Sequence, residues 1–453
     1  MIQQHQLSTD ALFVLTRLWE HGFAAYLVGG CVRDLLRGDK PHDWDIATAA
    51  TPGQIHELFE QQTIQTQLGE RFGTVLIKSN QTVLEVTTFR AESTYLDHRH
   101  PDSVHFTTNI KEDLARRDFT INAMAYSPQT DLVDPFGGMT DLQNGVIRCV
   151  GNARTRLQED ALRILRALRF AACLGFSIET QSAQAIYAER LLLQQIAKPR
   201  IYTELTKLLC GKDAGRMLID YLSVLSVFIP ALCDMAGFAQ HHPYHCYDVL
   251  THTSVVLSHT PPIPALRYAA LLHDVAKPQT FCLDDHGIGH FFGHASIGAT
   301  MAHNILKTLT ADNDTVARTV QLVKLHDTPT APDMVLIKKR LNRWGADTFL
   351  QLLELQRADC LGQHPRVHDR LNDIEQVHVM AESLLAKKAC FSRSSLAING
   401  NDLIRRGLHG RQIGMALDLL LTQVMENQIP NEKTALLAAL DTVVKNDIAM
   451  GKP

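Results

Sequence analysis

Residues 26–48 read YLVGGCVRDLLRGDKPHDWDIAT, and this run constrains the fold of the 453-residue chain more than any other. An apolar stretch, AAYLV, ends in a glycine pair, and a helix is predicted to follow at once, from near Val32. Strand, tight turn and helix in immediate succession belong to an α/β layer. A glycine pair alone is usually just a turn. Here Gly29 and Gly30 let main-chain N–H groups approach an anion, the helix N-terminus adds its dipole, and Arg33 falls in the first turn, placed to reach a phosphate. HDWDIAT then sets Asp43 and Asp45 two apart on a predicted strand, with both carboxylates on one side. Paired acids are common on any surface. Beside the glycine turn and Arg33, the pair suits a hard cation such as Mg²⁺, held jointly with substrate phosphates.

The rest of the N-terminal third fits the same layer. Leu12, Leu15 and Leu18 predict a helix over 10–21, stopped by Gly22. ERFGTVLIKS and QTVLEVTTFR predict a β-hairpin turning at Ser79-Asn80. Glu85 in the second of these strands is the candidate third carboxylate of a metal-assisted phosphoryl transfer, against the plain alternative of an exposed strand residue. KEDLARRDFTINAMA puts Arg116, Arg117 and Asp118 ahead of a predicted apolar helix; Asp118 is read as its N-cap and Arg117 as a triphosphate contact. The turn-rich DLVDPFGGMTDL closes this region near residue 150.

From about residue 151 the pattern is helical almost to the end. EDALRILRALRF is read as part of one helix, with Ala161, Leu162, Ile164, Leu165 and Leu168 on one side. Asp160, Arg163, Arg166 and Arg169 wind around the other, with Asp160 and Arg163 able to touch at i and i+3. A carboxylate accepts from an exocyclic amine and an arginine donates to ring acceptors. Such a pair accepts cytosine and adenine and rejects guanine and uracil. The plain alternative is a solvated surface with salt bridges, in which Glu159 orients Arg163 or caps the helix.

Further on, histidines crowd. Among 22 in the chain, His252, His273, His294 and His326 form a set with Asp274 and Asp359. Imidazole and carboxylate together suit Mn²⁺, Fe²⁺, Ni²⁺, Co²⁺ or Mg²⁺ better than a structural zinc site, which wants cysteine. Lys277, one turn past the His-Asp pair, is placed to meet a phosphate, and Asp327 is an acid without an assigned role. A net charge of −4 neither supports nor excludes RNA, so any RNA contact must come from a local patch. Nine cysteines without a C-x-x-C pair read as reduced thiols in a cytosolic protein. MIQQHQLSTDALF is no secretory signal. YLSVLSVFIPALC, residues 221–233, is too short to span a membrane and is read as a buried helix.

LVGGCVRD, DWD, RRDFTINAMA and EDALRILRALRF, in this order and spacing, resemble the class II tRNA nucleotidyltransferases, the CCA-adding enzymes and bacterial poly(A) polymerases, over roughly residues 20–210. The resemblance implies an α/β head of polymerase-β type, a mixed sheet with helices, followed by an all-α neck, HD region and tail. It implies nucleotide contacts from Gly29, Gly30, Arg33 and Arg117, Mg²⁺ on Asp43 and Asp45, and base selection by Asp160 and Arg163. Arg166 and Arg169 then lie nearer the phosphates and RNA. CTP and ATP are the implied substrates and tRNA the implied partner, with addition of the 3′-terminal CCA and release of pyrophosphate as the reaction. The histidine set resembles the HD phosphohydrolases over about 245–365. His252, His273, Asp274 and Asp359 match four ligands, and His294 and His326 the extra pair of binuclear members. INGNDL, GRQIG and the closing N-E-K resemble the tail of HD-containing CCA-adding enzymes, although His409 stands where a proline is usual.

The expected divisions are a head over 1–150, a neck over 151–240, an HD domain over 241–385 and a helical tail over 386–453. The expected protein is cytoplasmic, a monomer or homodimer, and without a membrane partner. The rivals are an A-adding-only enzyme, a poly(A) polymerase, and a non-catalytic RNA-binding factor with a relic HD fold. A nitrogen-sensing uridylyltransferase would need ligand-sensing modules for which the chain has no room.

Overall fold

The computed structural model describes residues 2–64, 73–80, 82–92 and 104–443. Glu70, Arg71, Phe72 and Gln81 of the expected hairpin, and the last ten residues of the expected tail, lie outside the described residues. The chain forms two compact units, Met1–Cys233 with Thr308–Thr310, and Asp234–Lys307 with Ala311–Pro453.

The first unit begins with helix α1, Thr9–Glu20, which Ser8 caps by accepting from the Ala11 N–H. Its Leu15 and Leu18 are fully buried. The strands are β1 (Ala25–Val28), β2 (Asp45–Thr48), β3 (Thr63–Ile64), β4 (Thr74–Ser79), β5 (Thr82–Thr88), β6 (Ala125–Ser127) and β7 (Asp131–Val133). They form a mixed sheet in the order β3-β4-β5-β2-β1-β6-β7. β1 pairs antiparallel with β2 and β6, and β2 pairs parallel with β5. Alternation decides the faces: Leu84 and Val86 are buried and Glu85 between them is exposed. In the β2–β5 register Asp45 stands opposite Glu85.

Three expectations are corrected here. β2 starts at Asp45, so Asp43 lies in the bend before the strand rather than on it. Ser79 pairs with Thr82, so the chain reverses after Ser79, where Asn80 takes a φ of 52°. No helix follows Asp118: Thr120–Asn122 is one 3-10 turn, and Ile121, Met124 and Ala125 fill the core where the chain enters β6.

Helices α2 (Gly30–Arg37) and α3 (Ile110–Ala115) belong to this sheet region, and α2 starts at Gly30, two residues earlier than expected. The helical part continues with α4 (Ala153–Glu159), α5 (Leu162–Leu174) and α6 (Lys198–Leu209). The arginine-rich run is therefore two helices, broken at Asp160, which is extended at φ −137° and ψ 102°. The expected apolar side holds: Ala161, Ile164, Leu165 and Leu168 are fully buried. Residues 221–233 give two one-turn helices, Leu222–Leu225 and Leu232–Met235, because the chain turns through the segment containing Pro230.

Among its described residues the second unit is helical apart from a β8–β9 hairpin, Phe281–Leu283 with Gly289–Phe291. The site is built from α7 (Val249–His259), α8 (Pro264–Leu272), α9 (His294–Thr308), α10 (Asn313–Leu325) and α11 (Ala346–Leu361). α8 is buried along its whole length apart from Pro264, with Tyr268, Leu266 and Leu272 fully enclosed. Beyond it, Leu403, Ala416, Leu420 and Leu436 make a separate small core.

Candidate functional site

The first unit encloses a cavity of about 560 Å³ lined by seven arginines and four aspartates. Glycine opens it. Gly29 precedes α2 at φ 74°, and a Cβ there would stand 2.9 Å from Arg117 Nη1 and 3.8 Å from Asp45 Oδ2. Only glycine suits both the backbone and the space. Arg33 is held into the cavity by Asn122 Oδ1, which accepts from Nη1 at 2.7 Å, and by Asp34 at 2.9 Å. Arg117 is steadied by Asp113 at 3.2 Å, and its Nε is buried without a hydrogen-bond partner among the described residues.

Asp43 and Asp45 both line the cavity, despite their different local backbones. Burial, then the neighbouring Glu85, pushes the Asp45 carboxyl up to about 6, Asp43 adding to the rise and Arg117 opposing it. Asp45 with Glu85 and Asp43 beside it makes an all-oxygen donor set suited to a hard divalent cation.

α4 and α5 supply the opposite wall. Arg163 is buried and donates to Glu159 at 2.7 Å and to the carbonyls of Arg156 and Arg116. The Asp160 carboxylate accepts no hydrogen bond from the Arg163 guanidinium, although the Arg163 N–H donates to the Asp160 main-chain carbonyl at 3.0 Å. The carboxylate accepts from the Leu162 N–H at 3.1 Å and from Arg200 at 3.2 Å. The helix break separates the residues that a continuous helix would have joined. Arg166 donates to Asp118 at 2.8 Å, and Arg169 ion-pairs with Glu204 at 3.0 Å while lying 4.1 Å from the Phe170 ring centre. Burial opposes ionisation of Asp118, yet the Arg166 charge and hydrogen bond bring its carboxyl down to about 2. Asp118 is thus an arginine anchor and not a helix cap. Sequence reasoning misses Arg200 and Glu204, because nothing in their local pattern points across to another helix.

The second unit gathers all six expected ligands. His252 stands on α7, His273 and Asp274 follow α8, His294 opens α9, His326 ends α10 and Asp359 lies on α11. His252 Nε2 is 3.2 Å from His273 Nε2, 3.4 Å from Asp274 Oδ2 and 3.0 Å from Asp359 Oδ1. His294 Nε2 is 3.1 Å from His326 Nε2, and each is 3.7 Å from Asp274 Oδ1. Asp274 therefore faces one trio through each oxygen, and each trio has the spacing of a metal site. Every Nδ1 meets a main-chain carbonyl: His252 with Gly362 at 3.0 Å, His273 with Ala270 at 2.9 Å, His294 with Phe291 at 2.8 Å and His326 with Val323 at 2.7 Å. Nδ1–H then donates outward and the Nε2 lone pair faces the centre. Asp274 Oδ1 is buried with no hydrogen-bond partner among the described residues, as a carboxylate oxygen reserved for a cation would be.

This centre opens on a cavity of about 530 Å³ that Lys277, Lys324 and Asp327 also line. Lys277 is buried between Asp274, at 2.7 Å, and Gln240, at 2.8 Å. Burial works against the Asp274 charge, but His273 and Lys277 hold its carboxyl well below the usual range. His245, not singled out in the sequence, lines the same cavity, and burial pushes it down to about 3.

A family model described as the poly A polymerase head domain matches residues 25–148. A "Probable RNA and SrmB- binding site of polymerase A" model matches 175–235, and a tRNA nucleotidyltransferase domain 2 model matches 286–440. A CCA-adding enzyme of Limosilactobacillus fermentum is 35% identical over 436 residues, 95% of this chain and 96% of that protein. One of Levilactobacillus brevis is 33% identical over 442 residues, 94% of this chain and 96% of that protein. The structure of a Bacillus stearothermophilus CCA-adding enzyme in complex with CTP superposes with a TM-score of 0.70 at 28% identity, covering 97% and 98% of the two chains. No helix among the described residues is long and apolar enough to cross a membrane.

Proposed function

The chain belongs to the CCA-adding enzyme family, and from that premise we propose that its first unit builds and repairs the 3′-terminal CCA of tRNA from CTP and ATP. The observation that carries the assignment to this cavity is the convergence of Asp43, Asp45, Arg33, Arg117, Asp160 and Arg163 on one space.

In this reading Asp43, Asp45 and Glu85 hold Mg²⁺, which when bound polarises the α-phosphate and lowers the pKa of the RNA 3′-hydroxyl. Arg33 and Arg117 bind the triphosphate, with the main chain at Gly29 and Gly30 close enough to touch it. They neutralise the charge that gathers on pyrophosphate as the hydroxyl attacks the α-phosphorus in line and the bond to the leaving group breaks. Asp160 accepts from the base amine and Arg163 donates to the base, while Glu159 fixes the Arg163 guanidinium. Arg166 and Arg169 line the path of phosphates and RNA. Incubation with tRNA lacking CCA, plus CTP and ATP, tests the proposal. Absence of C and A incorporation, or full activity in Asp43→Ala, overturns it.

The six-ligand centre favours a second activity, hydrolysis of a phosphoester by a metal-dependent HD site. The mixed imidazole and carboxylate donors suit Mn²⁺, Fe²⁺, Ni²⁺, Co²⁺ or Mg²⁺, and a metal held there supplies a water of lowered pKa. Lys277 is the residue placed to meet the phosphate. Release of phosphate from a simple aryl phosphate by metal-loaded protein, lost in Asp274→Ala, checks it. We read the chain as head 1–150, neck 151–240, HD 241–385 and tail 386–453, in a cytoplasmic protein.

A further inference from the structure

Arg200, on α6, lies forty residues beyond Asp160, and no motif in the sequence marks it. Its Nη2 donates to Asp160 Oδ2 at 3.2 Å, and it lines the same cavity. The other cavity arginines from the helical part have different partners: Arg163 is taken by Glu159 and two carbonyls, Arg166 by Asp118, and Arg169 by Glu204. Among the described residues Asp160 is the one polar partner of Arg200, whose Nη1 is buried and has none. This guanidinium is directed to a single carboxylate.

That carboxylate needs holding. Asp160 sits in the break between α4 and α5, on extended backbone, where no helical turn limits its rotamer. Its two oxygens have one bond each: Leu162 N–H on Oδ1 and Arg200 on Oδ2. Removing Arg200 frees one side of the carboxylate to rotate away from the position it holds in the cavity wall.

We propose that Arg200 is a positioning residue for nucleotide choice, holding the Asp160 carboxylate as a fixed acceptor. The inference rests on the base-reading role proposed for Asp160. The chemistry is directional. An ionised carboxylate only accepts, so it pairs with the amine of cytosine or adenine and repels the carbonyl oxygen of uracil or guanine at the same place. A carboxylate turned away from that place neither accepts from the amine nor repels the carbonyl oxygen, and the wrong bases are admitted. Arg200 thereby acts on selectivity more than on the rate with the correct nucleotide.

The test is kcat/KM for CTP, ATP, UTP and GTP on tRNA lacking its terminal residues, in wild type, Arg200→Ala, Arg200→Lys and Asp160→Ala. Loss of one charged hydrogen bond predicts that Arg200→Ala lowers the CTP-over-UTP ratio about tenfold, with Arg200→Lys recovering part of it. The double variant Asp160→Ala/Arg200→Ala then shows no further loss beyond Asp160→Ala. An equal fall for all four nucleotides in Arg200→Ala marks a purely structural residue and overturns the inference. If Arg200→Ala does not fold, the ratio in Arg200→Lys decides: an unchanged ratio overturns it. Asp160→Ala separates the two levels. Unchanged selectivity there sinks the base-reading role itself, whereas lost selectivity there with wild-type selectivity in Arg200→Ala sinks only the role of Arg200.

Discussion

Arg166 Nε lies 2.8 Å from Asp118 Oδ2, so one partly buried ion pair ties the Arg-Arg-Asp turn to the first turns of α5. Asp118 also accepts from the Phe119 N–H and from Asn122, the residue that steers Arg33. The pair therefore connects the arginine wall to a triphosphate contact through a chain of hydrogen bonds.

Breaking that pair leaves a half-buried arginine without its counter-charge. We expect Asp118→Asn to cost about 2 kcal/mol of stability, between the cost for an exposed pair and that for a fully buried one. The pH dependence has a definite sign. The folded carboxyl lies at about 2 against an ordinary 3.8, so its stabilisation is complete above 3.8 and is lost as pH falls toward 2. Denaturant melts of both proteins across acidic pH should converge at the low end. A gap that does not narrow there would contradict the assignment.

Asp45 has the opposite sign. Its folded pKa of about 6 exceeds the ordinary 3.8, so ionising it opposes folding. The penalty is absent below 3.8 and complete above 6. Metal-free Asp45→Asn should therefore be more stable than wild type at neutral pH, by about 2 kcal/mol, while nucleotide incorporation disappears. Mg²⁺ should raise the melting temperature of wild type by more than that of Asp45→Asn, in which only the site of the second unit is left intact. A destabilised Asp45→Asn would show that the carboxylates are not in mutual repulsion.

Gly29→Ala confronts both a positive φ and Arg117. The added methyl meets Nη1 at 2.9 Å, so the guanidinium must move. We expect a stability loss of about 1 kcal/mol together with a rise of about tenfold or more in KM for CTP, because a charged phosphate contact is displaced. Steady-state kinetics beside a thermal melt separates the two effects. An unchanged KM would remove Arg117 from the triphosphate site.

The parts legible in the sequence are those whose spacing is itself the signal. The turn Gly29-Gly30 with Arg33, and the six candidate ligands of the second unit, stand where short local patterns place them, the candidates mostly at helix ends. What escapes is set by tertiary contact. Asp43 reads as a strand residue because alternation with Asp45 is all the sequence offers. Asp160 reads as helical because the apolar period runs through the break, and its pairing with Arg200 depends on how α6 meets α5. The tail shows the same limit in reverse. Asn399 caps the helix Gly400–Ile404, Lys433 donates to Asp402 at 2.6 Å, and Asn431 accepts from the Ala397 N–H. These motif residues hold one another, a scaffold role invisible without the fold.

The two oxygens of Asp274 make the metal stoichiometry of the second unit a sharp measurement. Oδ2 faces His252 and His273, with Asp359 Oδ1 3.0 Å from His252, and Oδ1 faces His294 and His326. Removing His326 dismantles one trio and leaves the other whole. Removing Asp274 takes a ligand from both. Manganese-loaded wild type should carry about two equivalents per chain after desalting, His326→Ala about one, and Asp274→Ala almost none. Elemental analysis gives the count independently of any hydrolytic activity. One equivalent in wild type that persists in His326→Ala would leave Asp274 as a ligand to a single ion, and retention of two in Asp274→Ala would exclude it as the bridge.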